Sequence, residues 1–179
     1  MKKLAGGDRR SIGRSNEVAE EVLARPTLFG ALVEGLSCGE YVVQMRAADA
    51  IEKITRQKPE LLIHHKKKLL EVAARTGEKE LRWHMAMMLP RLRLSGAERA
   101  AAVDILHEYL KDSSSIVKTW AMQGLGEFAC ADRRLMARVR PMVEELTEIG
   151  TPAMRARGRK LLKQLERADP GRGGRRPRA

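Results

Sequence analysis

The chain has 179 residues, of which 43% are hydrophobic, 32% charged and only 3% aromatic, and its net charge is +12. Its length suits one domain with a buried core, and no apolar run approaches the ~20 residues that a membrane span needs. The first residues are basic, but the apolar region of a secretory signal does not follow them. Cys38 and Cys130 are isolated, which suits neither a disulfide framework nor a zinc site. We therefore expect a cytoplasmic protein with no cofactor and no metal.

The positive charge is concentrated at the two ends of the chain. Residues 1–14 hold five Lys/Arg and one Asp, and residues 151–179 hold ten Lys/Arg and two acids, whereas residues 15–150 hold 20 of each sign. An argument for a polyanionic partner must therefore rest on the ends.

Helical periodicity predicts an N-terminal helix and four helix pairs. In chain order they are 16–24, then 27–37/40–56, 59–75/78–93, 96–111/115–129 and 132–148/152–167. Prolines at positions 26, 59 and 152 suit first helical turns, and Ser95 with Glu98 forms a capping box. Pro90 and Pro141 fall inside predicted helices, which we expect them to bend without ending.

The pairs repeat with a period of about 37 residues. The repeat aligns Ile51, Leu89, Leu125 and Leu162, and further apolar or small residues recur eight, four and one residues before each of them and three residues after. These columns form the apolar stripe of one helix, repeated four times, and a single pair cannot bury its stripe alone.

The second helix of each pair carries a recurring motif. Its four copies read VQMRAADAI (43–51), LRWHMAMML (81–89), VKTWAMQGL (117–125) and MRARGRKLL (154–162). They resemble the second helix of the HEAT repeat, which opens with Val-Arg and continues with Ala and Ala-Leu. The resemblance covers about 27–167 and implies an all-α, armadillo-type α-α superhelix, a right-handed solenoid of about four HEAT-like pairs plus the N-terminal helix. The second helices would line a concave face that holds a partner.

Charge, composition and the resemblance together predict three segments. They are a basic, flexible N-terminus at 1–14, a HEAT-like repeat domain at 15–167 and a disordered Arg/Gly-rich tail at 168–179, whose composition cannot bury a core.

Two columns of the second helices flank the stripe and are candidates for a partner-binding concave face. Their members are Arg46, His84, Trp120 and Arg157 in one column, and Met87, Gln123 and Lys160 in the other. The alternative is that Trp120 simply fills the groove between repeats.

The stretch LLIHHKKKLLEV, residues 61–72, combines histidines and lysines on a predicted helix. His64 and His65 would project about 100° apart, and neither has a ligand-type residue at i+4, which argues against a metal site. The lysines fit a solvated outer face, with a phosphate contact as the alternative.

The C-terminal cations are candidates for binding a polyanion. They are Arg155, Arg159, Lys163, Arg167, Arg172, Arg175, Arg176 and Arg178. The alternative is a polar capping helix followed by a solubilising tail.

No motif for catalysis is present, so we expect a non-enzymatic scaffold or adaptor that binds a protein partner. The alternative is nucleic-acid binding through the last helix and the tail. We expect no small-molecule substrate and no membrane partner. Enzymes with HEAT-like folds, such as glycosylases for alkylated bases and bilin lyases, form a third class, but the chain lacks an evident acid paired with aromatics in a groove.

Overall fold

A computed structural model describes residues 2–8 and 11–169, and this part of the chain is all-helical, without a strand. The predicted all-α class is confirmed. The helices packed against one another are α1 (Ser15–Ala24), α2 (Phe29–Glu34), α3 (Tyr41–Gln57), α4 (Lys66–Arg75), α5 (Lys79–Met88), α6 (Gly96–Tyr109), α7 (Ser115–Cys130), α8 (Arg133–Ile149) and α9 (Pro152–Ala168). No helix among these residues has the length and apolar character needed to cross a membrane.

The helix ends agree closely with the sequence signals. Ser95 and Glu98 form the predicted capping box: the Ser95 amide donates to the Glu98 carboxylate at 2.8 Å, and the Glu98 amide donates to the Ser95 hydroxyl at 3.3 Å. Asp132 caps α8 and Thr151 caps α9, because their side-chain oxygens accept from first-turn amides. Pro141 lies inside α8, which continues past it as predicted.

Two details of the predicted helices were wrong. The helix expected to begin at residue 59 instead starts as a 3-10 turn, Pro59–Leu62, and α4 begins only at Lys66, so His64 and His65 precede the helix. Pro90 was expected to bend its helix, but α5 ends at Met88 and a 3-10 turn covers Leu89–Arg91. Pro59 and Pro90 lie at these two places, and a proline has no backbone N–H to donate to a helical hydrogen bond.

The repeated apolar columns form the core. All of their members are buried except Leu162, which is half-buried. The described residues divide into two compact units at Ala102/Val103. In the first unit, α3 packs against α1, α2 and α5, and α4 packs against α5. In the second unit, α7, α8 and α9 pack against one another.

Two glycines allow the helices of the second unit to approach closely. A Cβ atom at Gly158 on α9 would overlap the Thr147 side chain of α8, and one at Gly126 on α7 would overlap the Leu161 side chain of α9. Position 158 therefore needs a residue without a side chain.

Candidate functional site

An open groove runs between α7 and α9 in the second unit. Its volume is about 380 Å³. It is lined by Ser115, Ile116, Thr119 and Trp120 from α7 and by Ala153, Ala156, Arg157 and Lys160 from α9. Three of the predicted partner-binding residues, Trp120, Arg157 and Lys160, thus come together at one place.

The register of α9 explains why its two cations reach this groove. Met154, Gly158, Leu161 and Leu165 are its buried residues, recurring every three or four positions on one face. Because α9 packs against α7, residues that flank this face on one side lie at the α7/α9 boundary. Arg157 is half-buried there, and Lys160, three residues further on, is exposed.

Trp120 holds Arg157 in place. The Arg157 guanidinium lies over the Trp120 ring, 4.4 Å from its centroid, a cation–π contact that stabilises the side-chain pair by about 0.5–1 kcal/mol at a partly exposed site. Trp120 is half-buried. The alternative that Trp120 only fills space between helices accounts for its buried part, but its ring also forms a wall of the groove.

The groove is electropositive and partly apolar. None of its eight lining side chains is acidic. Trp120 faces Arg157 and Gly126 faces Leu161, so α7 and α9 run in the same direction and the groove lies beside the first half of both helices. The positive ends of two helix dipoles therefore add to the two cations. Ile116 is 45% exposed, a large apolar side chain open to solvent.

Arg46, another predicted binding residue, is buried by the chain itself. It is 2% exposed. Its guanidinium donates hydrogen bonds to four backbone carbonyls of the N-terminal segment: Leu4 at 2.8 Å, Gly6 at 2.6 Å, Asp8 at 2.8 Å and Ser11 at 3.0 Å. A partner cannot reach this side chain while the segment is in place. The described part of the segment predicted to be flexible, 2–8 and 11–14, is thus tied to α3.

The path of this segment depends on glycine. Gly6, Gly7 and Gly13 have positive φ angles of 71°, 75° and 53°, which residues other than glycine rarely adopt. A Cβ atom at Gly13 would also lie 2.7 Å from the Arg46 guanidinium. The glycines let the backbone curl so that its carbonyls converge on one cation.

His84 lies in a polar network that links three helices of the first unit. It is 2% exposed, its Nδ1 lies 2.6 Å from the Glu80 carbonyl, and its Nε2 lies 3.6 Å from the Asp49 carboxylate. The Ser15 hydroxyl and the Lys53 ammonium donate to the other Asp49 oxygen at 2.5 Å and 2.6 Å. His84 therefore packs inside the unit and offers no surface to a partner.

The network stabilises the ionised form of Asp49. Burial opposes the charge, but His84, Lys53 and Ser15 outweigh it, and together they lower the pKa of Asp49 to about 2. Because Ser15 bonds to Asp49 and not to His84, and is itself fully buried, the three side chains do not form a nucleophile with its base.

The remaining members of the predicted columns do not join the groove. Met87 is half-buried in the first unit and does not line the α7/α9 groove. Gln123, on α7, is 8% exposed, and its amide donates to Glu127 at 2.8 Å. The two columns therefore do not form one continuous exposed surface over the residues described.

The predicted polyanion-binding residues of α9 are exposed. Within residues 2–8 and 11–169, no carboxylate lies within ion-pair distance of these side chains, which are Arg155, Arg159, Lys163 and Arg167. Arg172, Arg175, Arg176 and Arg178 lie outside the described residues, as does the tail from 170 onward.

Within the 61–72 stretch, His65 packs against another helix, whereas His64 is exposed. The His65 ring packs edge-on against Phe29 with centroids 5.4 Å apart, and burial, together with the neighbouring His64, lowers the pKa of His65. Lys66 pairs with Glu98 at 2.8 Å, a contact that lowers the pKa of Glu98 to about 2 with help from Ser95. In the part of the chain that the structure describes, no three metal-ligand side chains cluster.

Sequence reasoning missed several residues of these sites. The exposure of Ile116 has no signal in the sequence, because an apolar residue at a helix start usually faces the core. Glu52 was also missed: it is 3% exposed and binds Arg91 of the 3-10 turn at 2.6 Å. The only signal for this pair in the sequence is that Glu52 directly follows Ile51, a member of an apolar column.

No protein-family model matches the chain, and a search of curated proteins finds no matching relative.

Proposed function

We propose that this protein is a non-enzymatic adaptor of the HEAT-like, helical-repeat kind, and that it binds a protein segment in the α7/α9 groove. The observation that carries the proposal is the convergence of Trp120, Arg157 and the exposed Ile116 on one open groove. Trp and Arg are the residues most often found at the energetic centre of protein interfaces. The second helices, which the resemblance assigns to partner binding, supply both walls.

The groove suits a peptide segment better than a compact metabolite. Its volume of about 380 Å³ has room for a few side chains. It is open along its length, and its lining contains one aromatic ring, alanines and two cations without a convergent set of buried polar groups. Small-molecule sites usually enclose their ligand and fix it with such polar groups.

Selection from a random peptide library displayed on phage, with the full-length chain as bait, tests this proposal. We expect enrichment of peptides whose binding is lost with Trp120→Ala and Ile116→Ser. Met87→Ala serves as a matched control, because it removes a half-buried side chain from a second helix of the other unit. Peptides that bind all variants equally, or no enrichment at all, would refute binding in this groove.

A second candidate function is binding of nucleic acid by the exposed face of α9. It is supported by the four exposed cations Arg155, Arg159, Lys163 and Arg167, which have no carboxylate partner among the described residues. Each phosphate contact releases counterions, so binding should weaken steeply with salt. Duplex and single-stranded DNA and RNA should bind the full-length chain across a salt series, and changing the four residues to Gln should reduce both affinity and salt slope. Absence of binding above ~100 mM salt would refute this candidate.

A further inference from the structure

We infer that the segment bound in the α7/α9 groove is acidic and amphipathic, with carboxylates that contact Arg157 and Lys160 beside an apolar side chain that contacts Ile116. The inference rests on the proposed function, because it specifies the chemistry of the partner that the groove would take.

The charges of the groove favour acidic groups opposite them. Arg157 and Lys160 have no carboxylate within ion-pair distance among the described residues, and the lining contributes no acid of its own. A basic segment would meet two like charges and the positive ends of two helix dipoles. An acidic segment would satisfy all of them.

Arg157 is also preorganised for a carboxylate. The central carbon of the Arg157 guanidinium lies over the Trp120 ring, 4.4 Å from its centroid, and this contact limits the movement of the guanidinium and its N–H groups. No hydrogen bond from these N–H groups to another described residue is present. A guanidinium restrained by such a contact loses less freedom than a fully mobile one when a carboxylate binds its N–H groups.

The apolar part of the lining requires more than charge from the partner. Ile116 is 45% exposed, and Ala153 and Ala156 on the facing helix are exposed as well. The small alanine side chains leave space opposite Ile116, so a partner's aliphatic or aromatic side chain can enter between the helices. A segment that carried only acids would leave this apolar surface in water, whereas an amphipathic one covers it.

A duplex nucleic acid fits the same groove less well. Its outer surface is dominated by charged phosphates and offers Ile116 only sugar C–H groups and, inside the major groove, thymine methyls. The exposed cations Arg155, Arg159 and Lys163 offer phosphates a wider surface outside the groove. The groove and the outer face of α9 are thus separable in an experiment.

Competition among three peptide libraries displayed on phage tests the inference with the full-length chain. The libraries have equal length and random apolar positions, and differ only in whether fixed positions hold Asp/Glu, Asn/Gln or Lys/Arg. We expect groove-dependent binders, defined by their loss with Trp120→Ala, to come from the acidic library and to contain an apolar residue. The double variant Arg157→Gln/Lys160→Gln should weaken these peptides about tenfold. The matched control Arg134→Gln/Arg138→Gln, which removes two exposed cations of α8 in the same unit, should leave them unchanged.

The other outcomes separate the two proposals. Groove-dependent binders drawn equally from all three libraries would overturn the acidic partner while leaving the groove as a protein-binding site. No groove-dependent binder from any library would overturn the proposed function, and this inference with it. Displacement of the acidic peptides by a mixed-sequence DNA duplex whose own binding needs Trp120 would overturn the inference in favour of nucleic acid.

Discussion

Replacing Arg46 by Met tests the role assigned to the N-terminal segment. Met fills a similar volume but cannot donate to the carbonyls of Leu4, Gly6, Asp8 and Ser11, which converge on the guanidinium. We expect the segment to detach from α3, because leaving its carbonyls without donors inside the fold costs more than returning them to water.

The size of the effect follows from what the segment loses. The Leu4 carbonyl lies in a buried hydrogen bond, so leaving it unsatisfied costs about 1–3 kcal/mol. The Leu4 side chain is fully buried, and exposing it costs about 2 kcal/mol more. Because detachment avoids part of the first cost, we expect the free energy of unfolding to fall by about 2–4 kcal/mol.

Two measurements check this expectation. Hydrogen exchange followed by mass spectrometry should show residues 2–8 and 11–14 losing protection, and urea unfolding followed by circular dichroism should show an earlier midpoint. Arg46→Lys should be intermediate, because one ammonium cannot span four carbonyls. Arg93→Met, at an exposed position of the same unit, is the matched control. Unchanged protection of residues 2–8 and 11–14 in Arg46→Met would refute the anchoring role.

Two further predictions concern the polar network and the helix packing. Asp49 has a pKa of about 2 in the folded protein against an ordinary 3.8, so its ionised form contributes stability above about pH 4 that is lost as the pH falls toward 2. The difference corresponds to about 2 kcal/mol of stability. In thermal unfolding measured at a series of pH values, Asp49→Asn should lose about that much less stability than the unchanged protein as the pH falls. An unchanged dependence of stability on pH in the variant would contradict the network. Gly158→Ala should destabilise the protein by about 1–3 kcal/mol in urea unfolding, because the new methyl group overlaps Thr147, whose hydroxyl is held by a backbone carbonyl. Gly96→Ala, in a helix with open space around it, should be neutral or slightly stabilising, and equal effects of the two changes would contradict the close contact.

The helix pattern could be predicted because its signals are local. The capping box at Ser95 and Glu98 and the proline at the start of α9 depend only on neighbouring residues. The effect of a proline inside a helix is less local. Pro141 is exposed, so water can satisfy the carbonyl that loses its donor, and α8 continues through it. Pro90 instead removes the donor to the carbonyl of Ala86, four residues earlier. Because Ala86 is fully buried, α5 ends there.

The apolar columns were also predictable, since burial of a stripe every 37 residues needs only the helical period. Which side chains in the columns beside the stripe are exposed could not be predicted. Arg46, His84, Trp120 and Arg157 occupy equivalent positions, yet the first two are buried and the last two line an open groove.

The sequence by itself determined that this chain forms helices, where most of them begin and end, and which face of each is apolar, because hydrogen bonding within a helix and hydrophobic periodicity are properties of short segments. Only the tertiary structure decided which charged side chains reach solvent. That outcome depends on what covers each flank of the stripe. The described residues of the N-terminal segment cover Arg46 because three glycines let the backbone turn around it, whereas Trp120 and Arg157 contact each other across the gap between α7 and α9 and stay partly exposed.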